Sequence, residues 1–272
     1  MVGGTEEIAN LKSVLLLVAD GSEDMEVAIT QDILRRVEGV ALKIVGVPSI
    51  VNVASTSKTD EEQRMLNNNS NNTSISKTEQ FSSFQIITLS KGMKIIPDET
   101  IEQTISNLQK KLPFLPDMII IPGGYLGVKN IRNNKLAKDL IEKQLSSKNG
   151  KVAAICAGPL VLLDLYKEDK LKFESGIGNS QGKIQDLHMT SWPKFERDFL
   201  EVKNDIENGH LERKNLNINW VAHDSENKGV IVDKNIITSQ GPGTNFEFAL
   251  RLLEELDLST EEIDRVRRGI LY

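Results

Sequence analysis

The sequence predicts an α/β fold in which helices cover both faces of a mostly parallel sheet. Three observations carry this. Short apolar runs alternate with segments of helical periodicity, the runs end at Gly, Pro or Asp, and the first strand–helix–strand unit implies a right-handed crossover. Strands buried on both faces lose their polar alternation and read as continuous apolar runs.

The elements follow in order. Residues 13–19 form the first run, closed by Asp20-Gly21, and 23–36 place Met25, Ile29, Ile33 and Val37 at helical spacing. After Gly39, the run Ala41–Val47 completes a β-α-β unit. Asp98 is expected to cap a helix reaching about Lys110, and Asp117–Ile121 forms a strand running into Pro122-Gly123-Gly124. A helix over roughly 134–146 leads to the strand Lys151–Ile155, and a further helix begins near Ala157 and ends near Leu165. Residues 229–238 read as two strands around the turn Asp233-Lys234-Asn235. Thr244 and Glu247 have the spacing of a capping box that opens the next helix.

With 272 residues, the chain suits one domain over about 13–268 that carries two insertions. Residues 52–83 are rich in Ser, Thr, Asn and Lys and contain Asn67–Thr73. Such a segment buries too little apolar surface to offset its ordering entropy, so a disordered surface insertion is expected. Residues 194–228 are charged and weakly periodic, with room for one short amphipathic helix. A net charge of −6 with scattered basic residues argues against a nucleic-acid partner. No apolar run approaches the ~20 residues that span a bilayer, and the N-terminus lacks the pattern of a secretory signal. A single cysteine allows neither an internal disulfide nor a thiol pair for zinc, so a reducing, cytoplasmic compartment is expected and no metal site.

That cysteine, Cys156, ends a buried strand and precedes Ala157-Gly158-Pro159 and an apolar helix. A strand-to-helix turn exposes its side chain at the carboxyl edge of a parallel sheet, beside free helix N–H groups that favour thiolate. A lone cysteine in an apolar strand is equally well a small core residue. Gly123 and Gly124 allow a ligand close backbone approach and can supply oxyanion donors, although Pro-Gly-Gly is also an ordinary turn. Glu23, Asp24 and Glu26 complement the dipole of the first helix, and one of them could instead point over the sheet edge as a proton donor. His188, His210 and His223 have no metal-ligand spacing, and each could be a base or a bystander.

Together these pieces resemble the ThiJ/PfpI superfamily, most closely its DJ-one-like branch. The segments Ala19–Glu26, Ile121–Gly124, Ala153–Pro159 and Thr238–Phe248 carry the likeness, in the family's order apart from the two insertions. The resemblance implies a flavodoxin-like sandwich, usually a homodimer, with no cofactor. It places the family cysteine on Cys156 and its glutamate on Glu26, and forms an anion pocket from amides near Gly124 and Ala157. Lys91 matches a basic residue that precedes the family's Pro-Asp step. Where relatives often carry a pocket histidine, this chain has Trp192 within Thr190-Ser191-Trp192-Pro193, and His188 stands four residues earlier. An indole cannot act as a base. The implied activities are a glyoxalase or protein deglycase acting on methylglyoxal-type α-oxoaldehydes or their adducts and, alternatively, an oxidative-stress sensor or redox-regulated chaperone.

Overall fold

The computed structural model describes residues 11–49, 86–110, 115–171, 185–211, 216–222 and 229–272. The insertion expected at 52–83 lies outside them. Seven strands form the central sheet: β1 (Lys12–Val18), β2 (Val40–Gly46), β5 (Glu99–Thr100), β6 (Met118–Ile121), β7 (Lys151–Ile155), β10 (Val230–Asp233) and β11 (Ile236–Ser239). Their spatial order is β10-β11-β7-β6-β1-β2-β5, and all neighbours pair parallel except the β10–β11 hairpin. A short antiparallel hairpin, β3 (Ile87–Thr88) with β4 (Lys94–Ile95), stands outside the sheet.

Alternation along the strands divides the core in two. Leu15, Leu17, Ile119, Ile121, Val152 and Ala154 face one side. They pack there against α2 (Ile101–Leu108), α3 (Tyr125–Asn133), α4 (Lys135–Leu145) and α5 (Pro159–Lys167). Val14, Leu16, Val18, Met118, Ile120, Ala153 and Ile155 face the other side. Their partners are α1 (Asp24–Arg35), α7 (Asn245–Glu255) and α8 (Thr260–Gly269). Both faces are apolar and both are covered, which gives the continuous apolar runs and the flavodoxin-like sandwich.

Two helix starts differ from expectation. Asp98 caps nothing, because its carboxylate accepts from the Ile44 N–H at 2.7 Å and the Arg35 guanidinium at 2.8 Å. Helix α2 instead begins at Thr100, which forms a capping box with Gln103. Thr244 precedes α7 but makes no side-chain cap, since its hydroxyl donates to the Gly241 carbonyl at 2.9 Å and bonds Ser239 at 2.6 Å. The stretch at 194–228 is more regular than its sequence suggests. It holds α6 (Glu196–Glu207) and β9 (Leu216–Trp220), which pairs parallel with β8 (Gln185–Met189) in a separate two-stranded sheet. Phe199, Val202 and Ile218 anchor this unit to the core beside α5.

The chain moves outward from β1 to β2 on one side and then crosses to β6 on the other. The strand order therefore reverses between β1 and β6, and a crevice opens at their carboxyl ends.

Candidate active site

Three loops converge at that crevice, following β1, β6 and β7. Cys156 leaves β7 with φ +62°, a left-handed conformation that costs an ordinary side chain roughly 1–3 kcal/mol. Hydrogen bonds hold it there. Its N–H donates to the Ser239 carbonyl and its own carbonyl accepts the Trp192 N–H, both at 2.9 Å. The turn lifts the half-buried thiol above the sheet, in the manner of a nucleophile elbow. The backbone amides of Gly124 and Ala157 lie near enough to the sulfur to favour its charged form. Gly124 caps α3 and Ala157 stands just ahead of α5, so two helix N-termini meet at this atom.

Glu26 arrives from the first turn of α1 and is fully buried. Its Oε2 accepts the Gly123 N–H at 2.5 Å, while Oε1 has no hydrogen-bond partner of normal geometry. Burial pushes this carboxyl up to about 8, and the nearby Glu23 adds to the effect. The Gly123 N–H and the contact with the thiol only partly offset it. The Cys156 thiol is also pushed up, by burial first and then by the Glu26 carboxylate, against the pull of the Gly124 and Ala157 amides. The two groups therefore titrate as a pair. The carboxyl gives up its proton near 8, while the thiol is held well above its ordinary value.

Glycine is required where the loops meet. A Cβ at Gly123 would lie 2.5 Å from both Cys156 Cβ and Glu26 Oε2. Gly124 has φ +81° and packs so tightly on the loop after β1 that a Cβ would fall 2.6 Å from the Glu23 nitrogen.

The other residues singled out in the sequence take different places. Gly123, expected beside Gly124 in the anion pocket, gives its N–H to Glu26 and so orients the carboxyl instead. Asp24 faces away from the cysteine and accepts from the Lys91 and Met93 amides at 2.7 and 2.9 Å and from the Ser90 hydroxyl at 3.2 Å. Lys91 thus meets Asp24 through its backbone on the hairpin side, with its residue exposed at the tip of the β3–β4 hairpin. Trp192 adjoins Cys156 directly through the backbone bond already described, and its ring lies over Gly241.

His188 is held elsewhere. Its Nδ1 lies 3.0 Å from Asp233 Oδ2, and Asp233 is level with Val152, four residues before Cys156. That is ~13 Å down the strand from the thiol. His210 is exposed beside Asp205, and His223 falls outside the described residues. Among the described residues, no group of three or more His, Cys, Asp or Glu side chains could hold a metal ion, and no helix is long and apolar enough to cross a membrane.

Sequence reasoning gave no role to Asn245, which sits fully buried at the start of α7. Its amide donates to the Met25 and Glu26 carbonyls at 3.1 and 3.3 Å, and its oxygen accepts from Thr30, pinning the helix turn that presents Glu26. Its position within the Gly-Pro-Gly-Thr-Asn segment was the available signal.

Comparison with known proteins identifies the family and the fold. The model of the DJ-1/PfpI family matches residues 12–168 and 179–255. The chain belongs to the DJ-1/PfpI family. Drosophila melanogaster protein dj-1beta is 28% identical over 260 residues, covering 96% of this chain and 97% of its own. A Caenorhabditis elegans protein named glutathione-independent glyoxalase DJR-1.2 is 30% identical over 179 residues, 65% of this chain and 70% of its own. The crystal structure of Drosophila DJ-1beta superposes with a TM-score of 0.61 at 27% identity, covering 96% of this chain and 98% of that one. Some curated members of the family are therefore named glyoxalases, and the fold is theirs.

Proposed function

We propose that this protein is a cofactor-independent glyoxalase or deglycase acting on α-oxoaldehydes or their adducts, with Cys156 as nucleophile and Glu26 as proton carrier. The observation that carries this reading is the buried Glu26 carboxyl, which keeps a proton to about pH 8 beside a thiol faced by two backbone amides. In the singly protonated pair, the tautomer with charge on sulfur and the proton on Glu26 is the attacking form. The thiolate adds to the aldehyde carbon, and Glu26 protonates the new oxygen to give a hemithioacetal. The Glu26 carboxylate then takes the C1 proton and returns it to C2 while the C1 hydroxyl proton passes to the C2 oxygen, converting the ketone to an alcohol and C1 to a thioester. Water hydrolyses the thioester, releases the 2-hydroxy acid and restores the thiol. The aldehyde carbon is oxidised and the ketone carbon reduced, so no external oxidant or reductant enters. The Gly124 and Ala157 amides are suited to the negative charge that develops at each addition. No histidine is required by this route, in keeping with Trp192 beside the cysteine.

Methylglyoxal consumption with lactate detection tests the reading. Wild type turns over, and Cys156→Ala and Glu26→Gln each lose turnover. Activity retained in either variant removes that residue from the mechanism.

A second reading has its own support. A protonated Glu26 and the two amides would also hold the oxygens of a Cys156 sulfinate, as an oxidative-stress sensor requires. Mild peroxide would then add two oxygens selectively at Cys156, and a reaction no faster than that of a free thiol removes this alternative. In either role the working unit is proposed to be a cytoplasmic homodimer. The exposed apolar side chains Met25, Met93 and Ile96, at the start of α1 and along the β3–β4 hairpin, support association. Sedimentation of a monomer at micromolar concentration would refute it.

A further inference from the structure

The crevice above Cys156 is flanked by aromatic side chains that the thiol–carboxyl pair does not use. Tyr125 directly follows Gly124, whose amide lies beside the sulfur, and it is 62% exposed. Its ring stacks on Phe195 with centroids 6.2 Å apart and planes 17° from parallel. The Phe195 N–H donates to the Trp192 carbonyl at 2.8 Å, and the Trp192 N–H donates to the Cys156 carbonyl. Trp192 is 44% exposed, with its ring set over Gly241. A connected series thus runs from one amide at the sulfur, through three aromatic residues, to the backbone of the cysteine itself. Leu126, 55% exposed, adds apolar surface beside Tyr125.

We infer that this aromatic flank selects the substrate, so that the protein prefers aryl-substituted α-oxoaldehydes to methylglyoxal. The inference rests on the glyoxalase reading of Cys156 and Glu26 and adds the class of side group that the site accepts. An aldehyde carbon bonded to Sγ leaves its substituent projecting from the crevice toward the residues that border it. A methyl group is too small to stack on those rings. A phenyl ring meets Trp192 or Tyr125 in offset or edge-to-face contact and removes apolar surface of both partners from water.

Phenylglyoxal and methylglyoxal are compared by release of mandelate and lactate, using wild type, Trp192→Ala and Tyr125→Ala. In wild type kcat/KM is expected to be higher for phenylglyoxal. The phenylglyoxal-to-methylglyoxal ratio is expected to fall about tenfold in each variant, the size of one lost aromatic contact. Tyr125 is largely exposed, so its variant remains informative if Trp192→Ala folds poorly. Turnover of both aldehydes with a ratio that neither variant changes overturns the inference and leaves the glyoxalase reading intact. If neither aldehyde turns over, that reading fails and binding decides the role of the flank. In Cys156→Ser, benzoylformate should quench tryptophan fluorescence at lower concentration than pyruvate, and adding Tyr125→Ala should weaken this. Equal or absent quenching by the two acids overturns the aromatic preference itself.

Discussion

Asp24 and Glu26 stand two residues apart in the first turn of α1, and both are buried, yet they occupy opposite environments. On the hairpin side, Asp24 receives two amide N–H groups and a hydroxyl. Burial works to raise this carboxyl, but those three donors outweigh it and hold it below its ordinary value of 3.8. On the cysteine side, Glu26 receives one N–H, and burial prevails, raising the carboxyl to about 8. The number of donors that the fold delivers decides which acid stays charged. A fully paired carboxylate fastens a hairpin, whereas an underpaired one can move a proton.

Removing the ionisable group from either carboxyl separates their roles, and the loss at Glu26 is the larger. Glu26→Gln keeps the shape and the Gly123 contact but cannot carry a proton, so turnover should fall by about 10²–10⁴. Steady-state product release measures this, and Asp24→Asn should show no loss of that size. The same glutamine should have the opposite effect on stability. Native Glu26 keeps a proton that the unfolded chain releases near 4.5, so wild-type stability is greatest below that pH and declines as pH rises to about 8. Denaturant titration of Glu26→Gln should remove this decline and leave the variant more stable at pH 9, by up to about 5 kcal/mol.

Gly123→Ala tests how the two groups are brought together. A methyl group 2.5 Å from Cys156 Cβ and Glu26 Oε2 forces them apart. The expected cost is about 1–3 kcal/mol in chemical denaturation, with most activity lost. The smallest effect belongs to Asp24→Asn, about 1–2 kcal/mol from weakened charge-assisted bonds to the hairpin. The Asp24 contribution is present above pH 3.8 and lost as pH falls through its lowered value. The activity of Asp24→Asn should still rise with pH around a midpoint near 8.

Six of the seven sheet strands were legible because burial on both faces writes each as an apolar run, whereas Glu99–Thr100 and the pair Gln185–Met189 with Leu216–Trp220 carry no such run. Cys156 could be placed at a strand end because Val152–Ile155 stops at Ala157-Gly158-Pro159. Its left-handed φ could not be read, since the bonds that impose it come from Ser239 and Trp192. Local sequence likewise could not separate Asp24 from Glu26. Both fit the first turn of a helix, and their donors lie 66–69 and 97 residues away. Gly123 and Gly124 read alike as oxyanion donors, but only the fold turns one amide to Glu26 and the other to the sulfur. His188 was ambiguous until strand pairing set it beside Asp233. The capping expected at Asp98 failed because distant partners take its carboxylate, and at Thr244 because the nearby Ser239 and Gly241 take its hydroxyl.

The chemistry proposed for the site depends on Glu26 holding a proton at neutral pH beside Cys156. Its most direct test is a carbon-13 NMR titration of the glutamate carboxyls, with Glu26 assigned by comparison with Glu26→Gln. A midpoint near 8 in wild type, moving when Cys156 is replaced by Ser, is the expected result. A Glu26 midpoint near 4.5 that ignores the cysteine would contradict the proton-carrier role.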